Sequence, residues 1–338
     1  MSTYKGIQGY SVQDLESDPT LADVVGQLWY NSISRAFKVS VQGAAAWSSG
    51  GALNTAKGSA GCAGILTAAI VFGGNNSQTP AILAETETYN GTAWTEVANL
   101  GTARREVATL GTVNTAVVCA GGSGGPPGTQ QKTETWNGTS WAEGNNMTRA
   151  REGMQGFGTS TAGVAAGGIV NPGSNAYKDV ETYNGTSWTE VNNLNTYQEA
   201  GTAGGSSTAG IVYAGYGTAS PPWTVTANVQ TYDGTSWTEV NNMNTARAYV
   251  AGFGDTTAAL AAGGGYPAST TVEVYDGTSW AAGTALTTAT RGAMGQHTGN
   301  GTIATGIGCG GYNPSDNTIT TTQEYANAPV TAKTVTVS

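Results

Sequence analysis

Tyr183-Asn184-Gly185-Thr186-Ser187-Trp188 is the stretch on which the fold turns. It returns as Tyr232-Asp233-Gly234-Thr235-Ser236-Trp237 and as Tyr275-Asp276-Gly277-Thr278-Ser279-Trp280. Asn-Gly and Asp-Gly tolerate positive φ at both central positions of a turn, so each copy predicts a tight β-hairpin. Outward from it, Trp47, Trp94, Trp141, Trp188, Trp237 and Trp280 are spaced by 47, 47, 47, 49 and 43 residues. A period of that length built from short strands signals a radial β array.

Other positions keep the same register. About ten residues after each tryptophan stands a basic or amide residue: Lys57, Arg104, Arg151, Gln198, Arg247 and Arg291. A small apolar stretch then ends in glycine, as at Gly121-Gly122, Gly167-Gly168 and Gly263-Gly264. A loop of varying length leads to the next aromatic: Tyr89, Trp136, Tyr183, Tyr232, Tyr275 or Tyr325. Each unit thus predicts four short strands. Val250 to Gly264 supplies a second hairpin around Gly254-Asp255, with strands of Gly, Ala and small apolar residues suited to a crowded axis. The tryptophan strand belongs further out, where burial of an indole between units contributes at most about 4 kcal/mol.

The order of glycine pair, tyrosine, tryptophan and basic residue, read at Tyr275-Asp276, Trp280, Trp237, Arg247 and Gly263-Gly264, resembles the kelch repeat. The resemblance spans residues 42–326 and implies an all-β, six-bladed kelch-like β-propeller. The glutamate two residues before the aromatic, familiar from that family, stands at Glu87, Glu134, Glu181 and Glu273 and is Gln230 and Gln323 elsewhere. Tyr325 has no tryptophan strand after it, and Trp47 has no aromatic strand before it. The simplest ring is closed by the Trp47 strand pairing in the last blade; a seventh, degenerate blade from Leu28 to Val41 is the runner-up.

The expected domains are a docking arm, residues 1–41, and a propeller, residues 42–338, with a short C-terminal tail. In the arm, Asp18-Pro19 through Val25-Gly26 reads as a short helix with Asp18 as cap. Leu28 to Tyr30 and Ala36 to Val41 read as a hairpin. The stretch Gly26 to Asn31 with Phe37-Lys38-Val39 is similar to a short hairpin in bacteriophage tail and structural proteins. Glycine- and threonine-rich kelch-like repeats behind such an arm resemble virion proteins of marine phages.

Composition narrows the chemistry. A net charge of −9 with 10% charged residues argues against general nucleic-acid binding, which needs clustered cations. No secretory leader and no stretch of membrane-spanning length is read in the sequence. Cys62, Cys119 and Cys309 read as buried free thiols rather than a disulfide framework. The Asn-Gly-Thr triplets match a glycosylation sequon, but their turn role explains them.

His297 is the one histidine, so no multi-histidine metal site and no Ser-His-Asp triad can be built. Asp233-Gly234 lacks the extra residue of a sialidase aspartate box. Gly121 to Gly125 lacks the Lys-Ser or Lys-Thr of a phosphate loop. The carboxylates read as spent on repeat positions, which leaves no acid pair for a glycan-active enzyme. No catalytic residue, metal or cofactor is expected.

Two sets of residues remain as candidates for binding. Lys57, Arg104, Arg151, Arg247 and Arg291 form a ring around the axis, fit either for an anion such as an acidic glycan or for pairing with the repeat glutamates. Pairing is favoured, because Gln198 and Gln230 replace both partners together; Arg291 beside Gln323 is the exception. Second, the loops after the glycine pairs vary while the tight turns do not, and variable loops on a rigid scaffold carry binding. There Asn171, Tyr177, Trp223, Tyr266 and Tyr312 are placed to stack on sugars or anchor a protein. The resulting expectation is a non-enzymatic phage virion protein of the tail, fibre or capsid surface. The arm would hold it to other virion proteins, and the loop face would meet a host-surface glycan. A homo-oligomer on the particle stays open. The rival is a free kelch-type adaptor that binds protein or carbohydrate.

Overall fold

In the computed structural model the Tyr183 and Trp188 strands form an antiparallel hairpin, with Tyr183 directly opposite Trp188. The structure describes residues 12–19, 26–79, 81–124, 128–170, 176–295, 303–326 and 330–335. The expected helix over 18–26 and the expected strand place of His297 fall mostly or wholly outside them. The turn differs in one respect from expectation. Only the glycine takes positive φ, 92° at Gly185, while Asn184 keeps an ordinary φ. Instead Asn184 Oδ1 accepts hydrogen bonds from the Thr186 and Ser187 N–H groups at 2.9 and 2.8 Å. Asp233 does the same with Ser236 and Thr235, and those N–H groups hold its carboxyl below the usual range. The short polar side chain thus caps a four-residue loop instead of adopting the left-handed conformation itself.

The chain is all-β among the described residues, and its repeat consists of four-stranded antiparallel sheets, the construction of a β-propeller. One sheet shows the pattern: Gln155–Thr159, Ala162–Ala166, Val180–Tyr183 and Trp188–Val191, in that order. The unit from Trp47 to Tyr325 holds six such sheets. In five the strands follow chain order from Gly61–Ile65, Ala108–Val113, Gln155–Thr159, Thr202–Ser206 or Ala251–Gly254 outward to a tryptophan strand. In the sixth, Met294–Gly295, Thr305–Cys309 and Thr322–Ala326 are joined by Ala46–Ser49 from the other end of the unit. Trp47 lies 5.1 Å from Tyr325 there, ring to ring.

First strands of successive sheets pack side by side, and Met294–Gly295 packs against Gly61–Ile65. Small residues permit that approach: a Cβ on Gly204 would collide with the Gly254 carbonyl. Larger side chains fill the space further out. Ala108, Leu110, Val118 and Met147 of one sheet cover Ala165, Tyr183 and Trp188 of the next. Trp188 is 7% exposed, and its indole N–H donates to Thr133 Oγ1 at 2.9 Å. Cys62, Ala69 and Val71 of the first sheet share a core with Ile307 and Cys309 of the sixth. All three cysteines are buried free thiols.

The remaining residues, Met1–Ala46 with Ala326–Ser338, form a second compact unit. The expected hairpin is present as Leu28–Asn31 paired with Ala36–Gln42. Two features differ from expectation. The boundary falls at 46/47 instead of 41/42, and residues expected as a propeller tail belong here. Val330–Thr334 pairs antiparallel with Ala36–Gln42, and Gln13–Leu15 pairs parallel with Leu28–Asn31. The hairpin's two open edges need partners, and these segments supply them. Asp18 serves this sheet. Its carboxylate accepts from the Trp29 indole at 3.1 Å and from Asn31 at 2.8 Å, and meets Lys38 at 2.9 Å.

Candidate functional site at the axial mouth

Counting ten residues from each tryptophan gives Lys57, Arg104, Arg151, Gln198, Arg247 and Thr290. The four cations are buried and paired with the repeat glutamates. Lys57–Glu87 measures 3.0 Å, Arg104–Glu134 2.9 Å, Arg151–Glu181 2.8 Å and Arg247–Glu273 3.0 Å. Each arginine also donates through Nη1 to two carbonyls of its own sheet, as Arg151 does to Gly167 and Asp179. Gln198 accepts from Gln230 at 3.3 Å and donates to the Ala214 carbonyl. These side chains are taken up by contacts within the protein.

Arg291 was expected in that ring and is not part of it. It lies eleven residues after Trp280, and the equivalent buried position is Thr290, whose hydroxyl bonds the Gly310 carbonyl. The equivalence is fixed by backbone pairing: Arg291 bridges Tyr312 as Arg105 bridges Ser123, Glu152 bridges Ile169 and Glu199 bridges Tyr216. The sixth unit therefore carries neutral residues at both positions, Thr290 and Gln323, as the fourth does, though here Gln323 bonds Thr287 and Thr288. Cation and glutamate are lost together in both.

The next two positions point elsewhere. Twelve residues after each tryptophan stand Ser59, Glu106, Gly153, Ala200, Tyr249 and Gly292, all with φ between 52° and 68°. Glu106 N–H donates to Ser59, Gly153 to Glu106, Ala200 to Gly153, Tyr249 to Ala200, Gly292 to Tyr249 and Ser59 to Gly292. Those six hydrogen bonds, 2.7 to 3.1 Å long, form a closed circuit. Its residues line a cavity of about 110 Å³ together with Ala60, Val107, Met154 and Val250.

Not every glutamate is spent on the repeat positions, contrary to expectation: Glu106 lines this cavity, and the Glu199 side chain packs over Gly153 beside it. Glu106, Glu152 and Glu199 have no place in the buried pairs. Burial, with the charges of Glu106 and Glu152, pushes the Glu199 carboxyl up to about 8. Burial also raises Glu106; Arg105, 3.9 Å away, opposes this and Glu152 adds to it. Glu152 is 1% exposed, and its Oε2 has no hydrogen-bond partner.

Aromatic side chains surround the mouth on the side of the variable loops. Trp223 lies 6.2 Å from Tyr216, Tyr216 lies 5.9 Å from Tyr249, and Tyr249 lies 5.8 Å from Tyr266. The Arg291 guanidinium sits 3.8 Å from the Tyr266 ring and 4.6 Å from Tyr312, and binds Asp316 at 2.8 Å. Burial and the Tyr266 and Glu199 neighbours push the Tyr216 phenol up to about 12. Trp223 and Tyr266 thus share one wall system, a groove of about 590 Å³ that Tyr216, Val225, Gly265, Pro267 and Ser269 complete. Tyr312 stands beyond Arg291, largely buried, with its hydroxyl donating to Asn75. Tyr177 is not part of this row; it stacks on Arg149 at 4.9 Å. Asn171 lies outside the described residues. Tyr216 and Tyr249 were not singled out in the sequence, where each stands beside a repeat position.

No family model and no curated protein matches the chain. A solved structure, that of YjhT, is similar over 83% of this chain and 99% of its own, with a TM-score of 0.67 and 13% sequence identity. At that identity the likeness speaks for the fold alone.

Proposed function

We propose that this chain is a non-enzymatic binding protein: a six-bladed kelch-like propeller, closed by the Trp47 strand, whose loop face holds a glycan. The observation that carries the reading is the groove between Trp223 and Tyr266. Its walls are aromatic, its volume of about 590 Å³ suits a short saccharide, and Tyr266 is 58% exposed. Rings of this kind stack on the apolar faces of sugars, while loop hydroxyls and carbonyls take the sugar's polar groups. Six blades are supported by the cyclic hydrogen-bond circuit and by the core that the first and sixth sheets share.

The setting proposed is a phage virion, with the N-terminal unit as the attachment element to other virion proteins. Ile33 and Phe37 in that unit are 77% and 43% exposed, apolar surface that suits a docking role. A glycan array probed with the wild type, Trp223→Ala and Tyr266→Ala tests the groove. Binding by the wild type that both variants lose supports it; binding that both retain places the ligand elsewhere. Mass spectrometry and electron microscopy of purified particles test the setting. Absence of the chain from particles would leave a free glycan-binding propeller.

A further inference from the structure

We propose that Cys62 and Cys309 form a disulfide site, a reversible covalent clasp between the first and sixth sheets of the Trp47–Tyr325 unit that a peroxide closes.

The repeat places the pair. Cys62 stands fifteen residues after its tryptophan, where the other units have Thr109, Gly156, Ala203, Gly252 and Gly295. Cys309 ends the second strand of its sheet, where the others have Phe72, Ala120, Ala166, Tyr213 and Ala262. These two places meet between neighbouring sheets. Ala166 shares a core with Ala203, and a Cβ on Gly252 would collide with the Tyr213 hydroxyl. Only between the sixth sheet and the first does a cysteine occupy both places.

The fold brings these two thiols into contact. Both are free, both lie in the core that the two sheets share, and a hydrogen bond joins them. That bond and burial push the Cys309 thiol well above its usual range. Two thiols in contact on packed strands bond by side-chain rotation, with little movement of the backbone. Cys119 lies in another core, with Ile70 and Phe72, and offers no rival partner. Cys62 also borders a cavity of about 110 Å³ with Thr109, Gly156 and Ala203, while Cys309 is fully buried. That space admits a molecule as small as hydrogen peroxide, so Cys62 meets the oxidant first.

The Cys62 sulfur attacks the peroxide. The O–O bond breaks, Cys62 becomes a sulfenic acid, and the departing hydroxide leaves as water with the Cys62 thiol proton. The Cys309 sulfur then attacks the Cys62 sulfur. The S–S bond forms, the S–O bond breaks, and the second hydroxide leaves as water with the Cys309 proton. Two thiols lose two electrons and one peroxide gains them. A dithiol reductant reverses the bond by exchange.

The bond would span nearly the whole unit, so it constrains the unfolded chain strongly. In the six-bladed reading it also holds the junction where the two ends of the repeat meet. On a particle that leaves a reducing cell the clasp forms after folding, a timing that rests on the proposed virion setting; the bond itself does not.

The test treats the reduced full chain with hydrogen peroxide, blocks free thiols with N-ethylmaleimide under denaturing conditions and digests it. Mass spectrometry without reductant should find the Cys62 and Cys309 peptides joined and Cys119 alkylated. The oxidised protein should melt about 5 °C or more above the reduced form, a difference that dithiothreitol abolishes. Cys62→Ala copies Ala203, and Cys309→Ala copies Ala120 and Ala166, so both variants should fold. Both should show no cross-link and no shift, whereas Cys119→Ala should behave as the wild type. Thiols that stay free after peroxide, and also after refolding of the denatured chain in a glutathione redox buffer, overturn the proposal. So does oxidation that ends at a sulfinic acid on Cys62, a bond to Cys119, or a cross-link that leaves the melting midpoint unchanged.

Discussion

The Arg151 guanidinium meets the Glu181 carboxylate at 2.8 Å with both side chains out of water. Burial disfavours the charged arginine, and Glu181 offsets this. The other Glu181 oxygen accepts the Thr148 N–H at 2.7 Å, which ties the pair to the link between two sheets. The protein also contains the neutral version of this pair, Gln198 with Gln230, at the same place in the fourth unit. The same fold therefore tolerates either both charges or neither.

Removing one charge should be far worse than removing both. Glu181→Gln leaves a buried guanidinium without its counterion and should cost about 3–5 kcal/mol. Adding Arg151→Gln, which copies the fourth unit, should return stability to within about 2 kcal/mol of the wild type. Urea denaturation of the two variants measures this directly. A double variant weaker than the single one would show that the arginine's bonds to Gly167 and Asp179 matter more than charge balance.

Trp188 tests the packing between sheets. Its indole is 7% exposed, tilted against Tyr183 at 4.9 Å and bonded to Thr133 of the neighbouring sheet. Trp188→Ala should destabilise by about 3–5 kcal/mol. Thr133→Val removes the hydrogen-bond acceptor and keeps the volume, and should cost about 1 kcal/mol. Equal losses in the two variants, read from denaturation midpoints, would mean the hydrogen bond and not the buried surface holds the indole.

Most of the architecture was legible because it is repeated. A tryptophan every 43 to 49 residues, hairpin turns and glycine pairs describe one supersecondary unit many times over. The pairing of Trp47 with the Tyr325 strand follows from counting which unit lacks which strand. Other features were not legible for physical reasons. The edge of the Ala36–Gln42 strand could be covered by any extended segment, so nothing local marked Val330–Thr334 as its partner. Arg291 was misassigned because a cation was sought at the repeat position instead of the residue at the fixed offset, which is Thr290. Glu106 lies twelve residues after its tryptophan and Glu152 and Glu199 eleven after theirs, and their burial off the repeat pairs shows only in the fold.

Tyr266 should be a binding residue with little structural weight. It is 58% exposed and covers Arg291 from the solvent side. Tyr266→Ala should change stability by about 1 kcal/mol or less, the worth of an exposed cation–π contact. Glycan binding in the groove should fall by about tenfold or more. Paired melting and binding measurements separate the two. Unchanged binding would move the ligand away from this wall.

The axial carboxyls should make stability depend on pH in an unusual direction. Most paired carboxylates lose stabilisation as pH falls, because their folded-state affinity for protons is lowered. Glu199 is the reverse, raised from 4.5 to about 8. Between those values the folded chain binds more protons than the unfolded one, so stability falls as pH rises. The contribution is fully present below about pH 4.5, declines through the window and is gone above about pH 8. The slope approaches about 1.4 kcal/mol per pH unit at most. Glu199→Gln removes the titration while keeping the shape. The difference in melting temperature between variant and wild type should therefore widen in the variant's favour from pH 5 to pH 8. A difference independent of pH would mean that Glu199 is ionised throughout, and that its neighbours do not crowd it as the mouth's geometry requires.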